Sequence, residues 1–127
     1  KWYFYDNGIR NALISNFSPL ALRQDAGQLW ESYLISEQLK NNYFNNISAE
    51  YFFWRTYDGQ EIDLIEVLDG QISAFEFKFT ERKVKIPRAF KENYPESSFL
   101  AIHKENYLQW LINKTNSKIW YPETNLN

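Results

Sequence analysis

Four charged residues have the types and spacing to do chemistry: Glu31, Asp63, Glu76 and Lys78. Glu76 and Lys78 lie two apart in Phe75-Glu76-Phe77-Lys78-Phe79, so in a strand they share one face and the phenylalanines share the other. Asp63 sits in the preceding strand-like run, Glu61–Leu68, and Asp69-Gly70 before the next run, Gln71–Phe79, is a two-residue hairpin signal. A hairpin there puts Asp63 on the strand beside Glu76. The phenylalanine face requires a core. The other face sets a carboxylate and an ammonium beside Ile72 and Ala74, where both are partly desolvated. Isolated buried charges are costly, so charges so placed are paired, metal-bound or functional.

Carboxylate oxygens are the ligands that Mg²⁺ and Mn²⁺ prefer. Asp63, Glu76 and the backbone carbonyl of Phe77 would hold one such cation and acidify a bound water. Lys78 would orient that water, or offset negative charge growing on a phosphorane-like transition state. Glu31 would ligate directly, through water, or at a second metal. A phosphodiester is the electrophile best suited to such a site. Plainer readings stand beside this one: Glu31 as a solvated helix residue, Asp63 as an ion-pair partner of Lys78, and Glu76 with Lys78 as an exposed strand face.

The elements that must position these residues are legible in the pattern. Trp2–Tyr5 reads as a short strand entering a turn at Asp6-Asn7-Gly8, Ile9–Ile14 as a short helix, and Ser15–Arg23 as a loop. Asp25 with Gln28 forms a capping-box pattern, and Leu29, Trp30, Tyr33 and Leu34 form an apolar stripe, predicting a helix from Asp25 to about Lys40. Glu31 lies on the flank of that stripe with Leu34, Ile35 and Gln38, from where it can point into the domain. Tyr51–Arg55 reads as a strand closed by Tyr57-Asp58-Gly59. After the hairpin, Pro87 suits the first turn of a helix through Tyr94. Ser98–His103 reads as a buried strand, Lys104–Asn113 as a helix with Tyr107, Leu108, Leu111 and Ile112 on one side, and Ser117–Tyr121 as a last strand. The aromatics Trp30, Phe52, Phe53, Trp54, Phe75 and Phe77 are core by default. This order describes an α/β domain with a mixed central sheet flanked by helices.

The stretch Arg82–Lys91 carries five cations and no acid. Lys83, Lys85 and Arg88 are the candidate phosphate contacts, against the plainer reading of a solvated face. The 127 residues suit a single domain, and 44% hydrophobic and 19% aromatic content argue against disorder. A net charge of −2 gives no global attraction for nucleic acid, so any such contact must be local. The absence of cysteine excludes disulfides, thiolate zinc sites and cysteine nucleophiles, and fits a cytoplasmic protein. The single histidine, His103, leaves no room for a multi-histidine metal site. No apolar run reaches the ~18 residues of a membrane span, and no signal peptide is visible. The sequence opens mid-pattern on Lys1-Trp2-Tyr3-Phe4, which reads as a piece of a longer polypeptide.

Asp63 followed by Glu76-Phe77-Lys78, with Glu31 on the preceding helix, resembles the PD-(D/E)XK nuclease superfamily, although Ile62 stands where its name has proline. The runs Tyr3–Leu13, Gly27–Leu34, Tyr51–Thr56, Gly59–Ile65 and Phe75–Lys78 resemble, more narrowly, the C-terminal domain of prokaryotic AAA-type ATPases of poorly defined function. The resemblance implies a restriction-endonuclease-like fold and metal-dependent cleavage of DNA by Glu31, Asp63, Glu76 and Lys78. It also implies an ATPase module joined on the N-terminal side. No Gly-x-x-x-x-Gly-Lys-Ser/Thr motif is present, so ATP binding by that route is not expected of these residues. The alternative is a non-catalytic docking or regulatory module on a nuclease-like fold. Self-association, substrate and sequence preference are left open.

Overall fold

The computed structural model describes residues 2–116. It is a mixed α/β arrangement built on a four-stranded sheet in the order β1 (Glu50–Arg55), β2 (Glu61–Leu68), β3 (Gln71–Phe77), β4 (Ser98–Ile102). The first three strands form an antiparallel meander; β4 runs parallel to β3. A parallel neighbour requires a crossover, and the connection from β3 to β4 contains a short helix, α3 (Arg88–Asn93). The remaining helices are α1 (Asn7–Leu13), α2 (Ala26–Phe44) and α4 (Tyr107–Asn116), with a 3-10 turn at Leu20–Leu22. The last strand expected, Ser117–Tyr121, lies outside the described residues.

The hairpin forms as its turn residues dictate. Asp69 and Gly70 both adopt positive φ, 51° and 80°, the left-handed pair that a tight two-residue hairpin needs. From this turn the β2–β3 ladder runs from Leu68↔Gln71 to Leu64↔Phe75. On the other side of β2, Phe52 faces Ile65 and Trp54 faces Ile62, so β2 advances three residues while β1 advances two. The extra residue falls at Asp63-Leu64, and such a bulge redirects side chains from strict alternation. As a consequence Ile62 and Ile65, three apart, pack into one cluster.

Both sheet faces are covered. Phe75, Phe77 and Leu64 join Leu34 and Ile35 of α2 and Trp110 of α4 in one core. Ala74, Ile62 and Ile65 form a second around Phe90 of α3. Burial on the scale of Trp110 and Phe90, 1% and 0% exposed, supplies the largest apolar contributions to folding.

Several expectations are corrected. Trp2–Tyr5 is not a strand; it is an arm laid on α2, where the Ser32 hydroxyl donates to the Phe4 carbonyl at 3.1 Å. The Asp25 carboxylate does not cap α2, because two arginines claim it. The helix continues past Lys40 to Phe44, since Gln38 and Asn42 are buried against the sheet and extend its inward face. Phe52 and Phe53 are exposed, 53% and 56%, because β1 is the edge strand with no layer over them. Ser98–Ile102 is half-buried, being the other edge of the sheet among the described residues. In α4 Trp110 is buried, and Leu108 and Ile112 face outward. Phe79 lies beyond the end of β3, half-buried, with its ring edge-on to Trp30 at 5.9 Å.

Candidate functional site

The site is built at the fork where β2 and β3 part. After Leu64↔Phe75 the next pair in register would be Asp63 with Glu76, and there the backbone ladder stops. The Asp63 carboxylate takes over: its Oδ2 accepts the Phe77 amide N–H at 2.8 Å. A buried N–H must find an acceptor, and here the acceptor is an ionisable side chain. The parting strands leave a cleft of about 530 Å³ between the fork and the start of α2. Asp63, Phe77, Lys78 and Phe79 line one wall; Gly27, Gln28 and Glu31 of α2 line the other; Thr80 and Arg82 follow on from Lys78.

Three of the four residues singled out in the sequence therefore border one cleft: Glu31, Asp63 and Lys78. Glu76 is buried, 8% exposed, and is reached through Lys78, whose Nζ donates to Glu76 Oε1. The ammonium thus pairs with the carboxylate two residues before it and not with Asp63. Burial pushes the Glu76 carboxyl above the ordinary glutamate range; the Lys78 hydrogen bond opposes that rise and the nearby Asp63 charge adds to it. Glu31 accepts the Tyr3 hydroxyl at Oε1 across 2.5 Å, so the N-terminal arm reaches the same cleft wall.

The donor chemistry suits a hard cation. Two carboxylates from neighbouring strands, with the Phe77 carbonyl between them in sequence, are oxygen ligands, and Mg²⁺ is commonly held by one or two protein carboxylates plus water and substrate oxygens. Each carboxylate spends one oxygen on the contact just described. Among the described residues no group of three acidic, histidine or cysteine side chains is gathered closely enough to hold a metal, so Glu31 does not join Asp63 and Glu76 in one ligand set in this conformation.

Of the basic stretch, Lys83, Lys85 and Arg88 are exposed, and Arg88 pairs with Glu92 at 2.7 Å along α3. None of these three lines the cleft, whereas Arg82 does. His103 accompanies Glu105 at 2.7 Å in the turn before α4, a local contact in keeping with a structural role.

Two features escaped the sequence reading. The first is a hub at Asp25, which also borders the cleft: Arg23 binds both of its oxygens at 2.8 Å, and Arg10 reaches Oδ2 at 2.8 Å. The two guanidinium groups, Arg23 first, hold the Asp25 carboxyl far below the usual range. The second is a polar network beneath the sheet, where Gln38 and Asn42 of α2 donate to Glu66 Oε2 at 2.6 and 2.8 Å. Asn42 also contacts the Tyr51 hydroxyl at 2.6 Å. Its signal was present: Glu31, Gln38 and Asn42 follow one inward line on the helix, at spacings of seven and four.

Residues 26–124 match the family described as Domain of unknown function (DUF4143). The chain belongs to this family. The match begins at the first residue of α2 and covers Glu31, Asp63, Glu76, Lys78 and Arg82, while Tyr3, Arg10, Arg23 and Asp25 precede it. No curated protein and no solved structure matches the chain. Among the described residues no helix is long and apolar enough to cross a membrane.

Proposed function

We propose that this DUF4143 domain is a metal-dependent nuclease of the PD-(D/E)XK kind, hydrolysing DNA phosphodiesters on a restriction-endonuclease-like sheet. The observation that carries the reading is the fork of β2 and β3. There Asp63 and Lys78 border one cleft opposite Glu31, with Glu76 behind and bonded to Lys78. Asp63 and Glu76, with the Phe77 carbonyl, would hold Mg²⁺ or Mn²⁺, which when bound supplies positive charge to the phosphate and lowers the pKa of water. Lys78 would position the attacking water and, as an ammonium, offset charge growing on the phosphate oxygens. Glu31 would steady water or substrate from the α2 wall. In the same reading the domain is cytoplasmic and joined to an N-terminal AAA-type ATPase module that supplies part of the DNA contact.

Cleavage of circular DNA in Mg²⁺ or Mn²⁺ tests the proposal. Glu76→Gln and Lys78→Ala should both abolish cleavage, and Glu76→Gln should also abolish site-specific Mn²⁺ binding by calorimetry. Cutting by both folded variants at the wild-type rate would defeat it.

The second reading is a docking or regulatory module on the same scaffold. It is favoured by the internal engagement of Asp63 with Phe77 and of Glu76 with Lys78, and by the net charge of −2. It expects no divalent-ion binding by the wild type at millimolar concentration.

A further inference from the structure

β1 has an open outer edge and a sequence poorly suited to one. Among the described residues it has a neighbouring strand, β2, on one side only. The backbone N–H and C=O groups on the other side are a row of donors and acceptors that another strand can take up. Natural edges are blunted by Lys, Pro or a bulge. β1 contains neither Lys nor Pro, and the extra residue of the β1–β2 bulge belongs to β2. Tyr51-Phe52-Phe53-Trp54 are all aromatic, bounded by Glu50 and Arg55. Tyr51 and Trp54 pack against the two cores, while Phe52 and Phe53 stand on opposite faces of the strand, each more than half exposed. The apolar surface continues onto α2. There Asn41 reaches the Leu111 carbonyl of α4 at 3.0 Å, and Asn42 reaches Tyr51 and Glu66 of the sheet. Because α4 lies over β3, where Trp110 meets Phe75 and Phe77, Tyr43, about 100° further round the helix, turns toward the β1 side. Tyr43 is 77% exposed, and its ring lies 5.6 Å from that of Phe44, 76% exposed.

We infer that the β1 edge is a homodimer interface, on which a second copy of this chain lays its own β1 antiparallel to the first and joins two four-stranded sheets into one of eight. Charge singles out this occupant. The strand is acidic at Glu50 and basic at Arg55, and neither side chain makes a hydrogen bond or ion pair among the described residues. An antiparallel copy brings the acidic end of each strand beside the basic end of the other, whereas a parallel one sets like charge beside like. The area suffices as well. Tyr43, Phe44, Phe52 and Phe53, half to three-quarters exposed at about 150–250 Å² apiece, offer on the order of 500 Å² per copy. With the edge backbone and flanking side chains this approaches the ~800 Å² per partner of a stable interface. The two-fold axis stands perpendicular to the sheet near Phe52 and Phe53, so aromatic rings meet aromatic rings across the joint on both faces and add to the backbone ladder. That axis keeps α2 of both copies on the same side, and the two clefts open on one face of the joint sheet. The interface does not depend on the nuclease reading.

Sedimentation equilibrium over a concentration series tests this. The wild type should pass from monomer to dimer and no further, because a two-fold interface closes on itself. Phe52→Lys combined with Phe53→Lys should raise the dimer dissociation constant about thirtyfold or more, the effect of losing central aromatic anchors. Both positions are exposed in the single copy, so the far-ultraviolet circular dichroism should not change. Glu50→Lys and Arg55→Glu should each weaken the dimer about threefold at low ionic strength, and the two together should recover the wild-type value. Crosslinking gives a reading that does not depend on those variants folding. The chain has no cysteine, so Phe52→Cys or Phe53→Cys, whichever lies on the two-fold, should join two copies on mild oxidation, and Phe17→Cys, at a position 71% exposed, should not. A wild type that stays monomeric to its solubility limit would overturn the inference; β1 amides protected from exchange in that monomer would show that another part of the same chain covers the edge. A dimer that survives the paired Phe52→Lys and Phe53→Lys substitution, or that crosslinks at neither position, would overturn it too.

Discussion

The carboxylate of Asp63 accepts the backbone amide of Phe77 at 2.8 Å, where the β2–β3 ladder would otherwise continue through the strand backbones. One side chain thereby does two things. It satisfies a buried N–H at the mouth of the fork, and it lines the cleft beside Lys78. A structural role therefore coincides at Asp63 with the chemical role proposed for it, and a substitution must be chosen to separate them.

Asp63→Ala should cost about 1–3 kcal/mol in urea unfolding, since it leaves the Phe77 N–H buried without an acceptor. Asp63→Asn keeps an oxygen for that N–H and should cost less, while removing the charge proposed to bind metal. Equal destabilisation by the two substitutions would show that the hydrogen bond does not hold the fork.

Glu76 makes a prediction in pH. Its folded carboxyl titrates above the ordinary 4.5, chiefly because it is buried. A raised acid stabilises the fold fully below its unfolded pKa, and that contribution is lost as pH rises through the folded value. Glu76→Gln should therefore hold or raise the thermal midpoint at neutral pH relative to wild type, and lose that advantage below about pH 4.5. A deficit largest at neutral pH would mean that the Lys78 pair outweighs burial.

What could be read from sequence followed from local rules. The Asp69-Gly70 hairpin formed with the expected β2 strand because its turn chemistry admits few alternatives. The shared cleft of Glu31, Asp63 and Lys78 was legible from helix and strand periodicity. What failed depended on tertiary neighbours. Phe52 and Phe53 look like core until β1 is known to be an edge strand. Asp25 looks like a helix cap until Arg10 and Arg23 are found on it. The bulge at Asp63-Leu64 has no Gly or Pro to announce it, yet it shapes the fork.

The network under the sheet should be a stability determinant. Glu66→Ala removes the acceptor of Gln38, 0% exposed, and one of the two acceptors of Asn42, which keeps the Tyr51 hydroxyl, and should cost about 1–3 kcal/mol for the Gln38 donor. Glu66→Gln retains one carbonyl oxygen and should cost less. The difference is measurable by equilibrium unfolding, and a neutral Glu66→Ala would mean the donors find other partners.

The Asp25 hub ties the N-terminal arm to the cleft. Arg23 is almost wholly enclosed, its side chain 2% exposed, with Asp25 and the Asn16 carbonyl as acceptors. Asp25→Ala removes the one carboxylate shared by two guanidinium groups, one of them enclosed, so the loop before α2 should loosen while the β2–β3 hairpin, anchored in both cores, should not. Amide hydrogen exchange reads this directly: protection should fall at residues 7–28 and stay unchanged at 64–75. The pH dependence has the opposite sign to that of Glu76. The Asp25 carboxyl titrates below its ordinary 3.8, so its stabilisation is complete above that value and is lost as pH falls further. Acid should thus release the arm in wild type and have no further effect there in Asp25→Ala. Uniform loss of protection across the hairpin would instead make the hub part of the global fold.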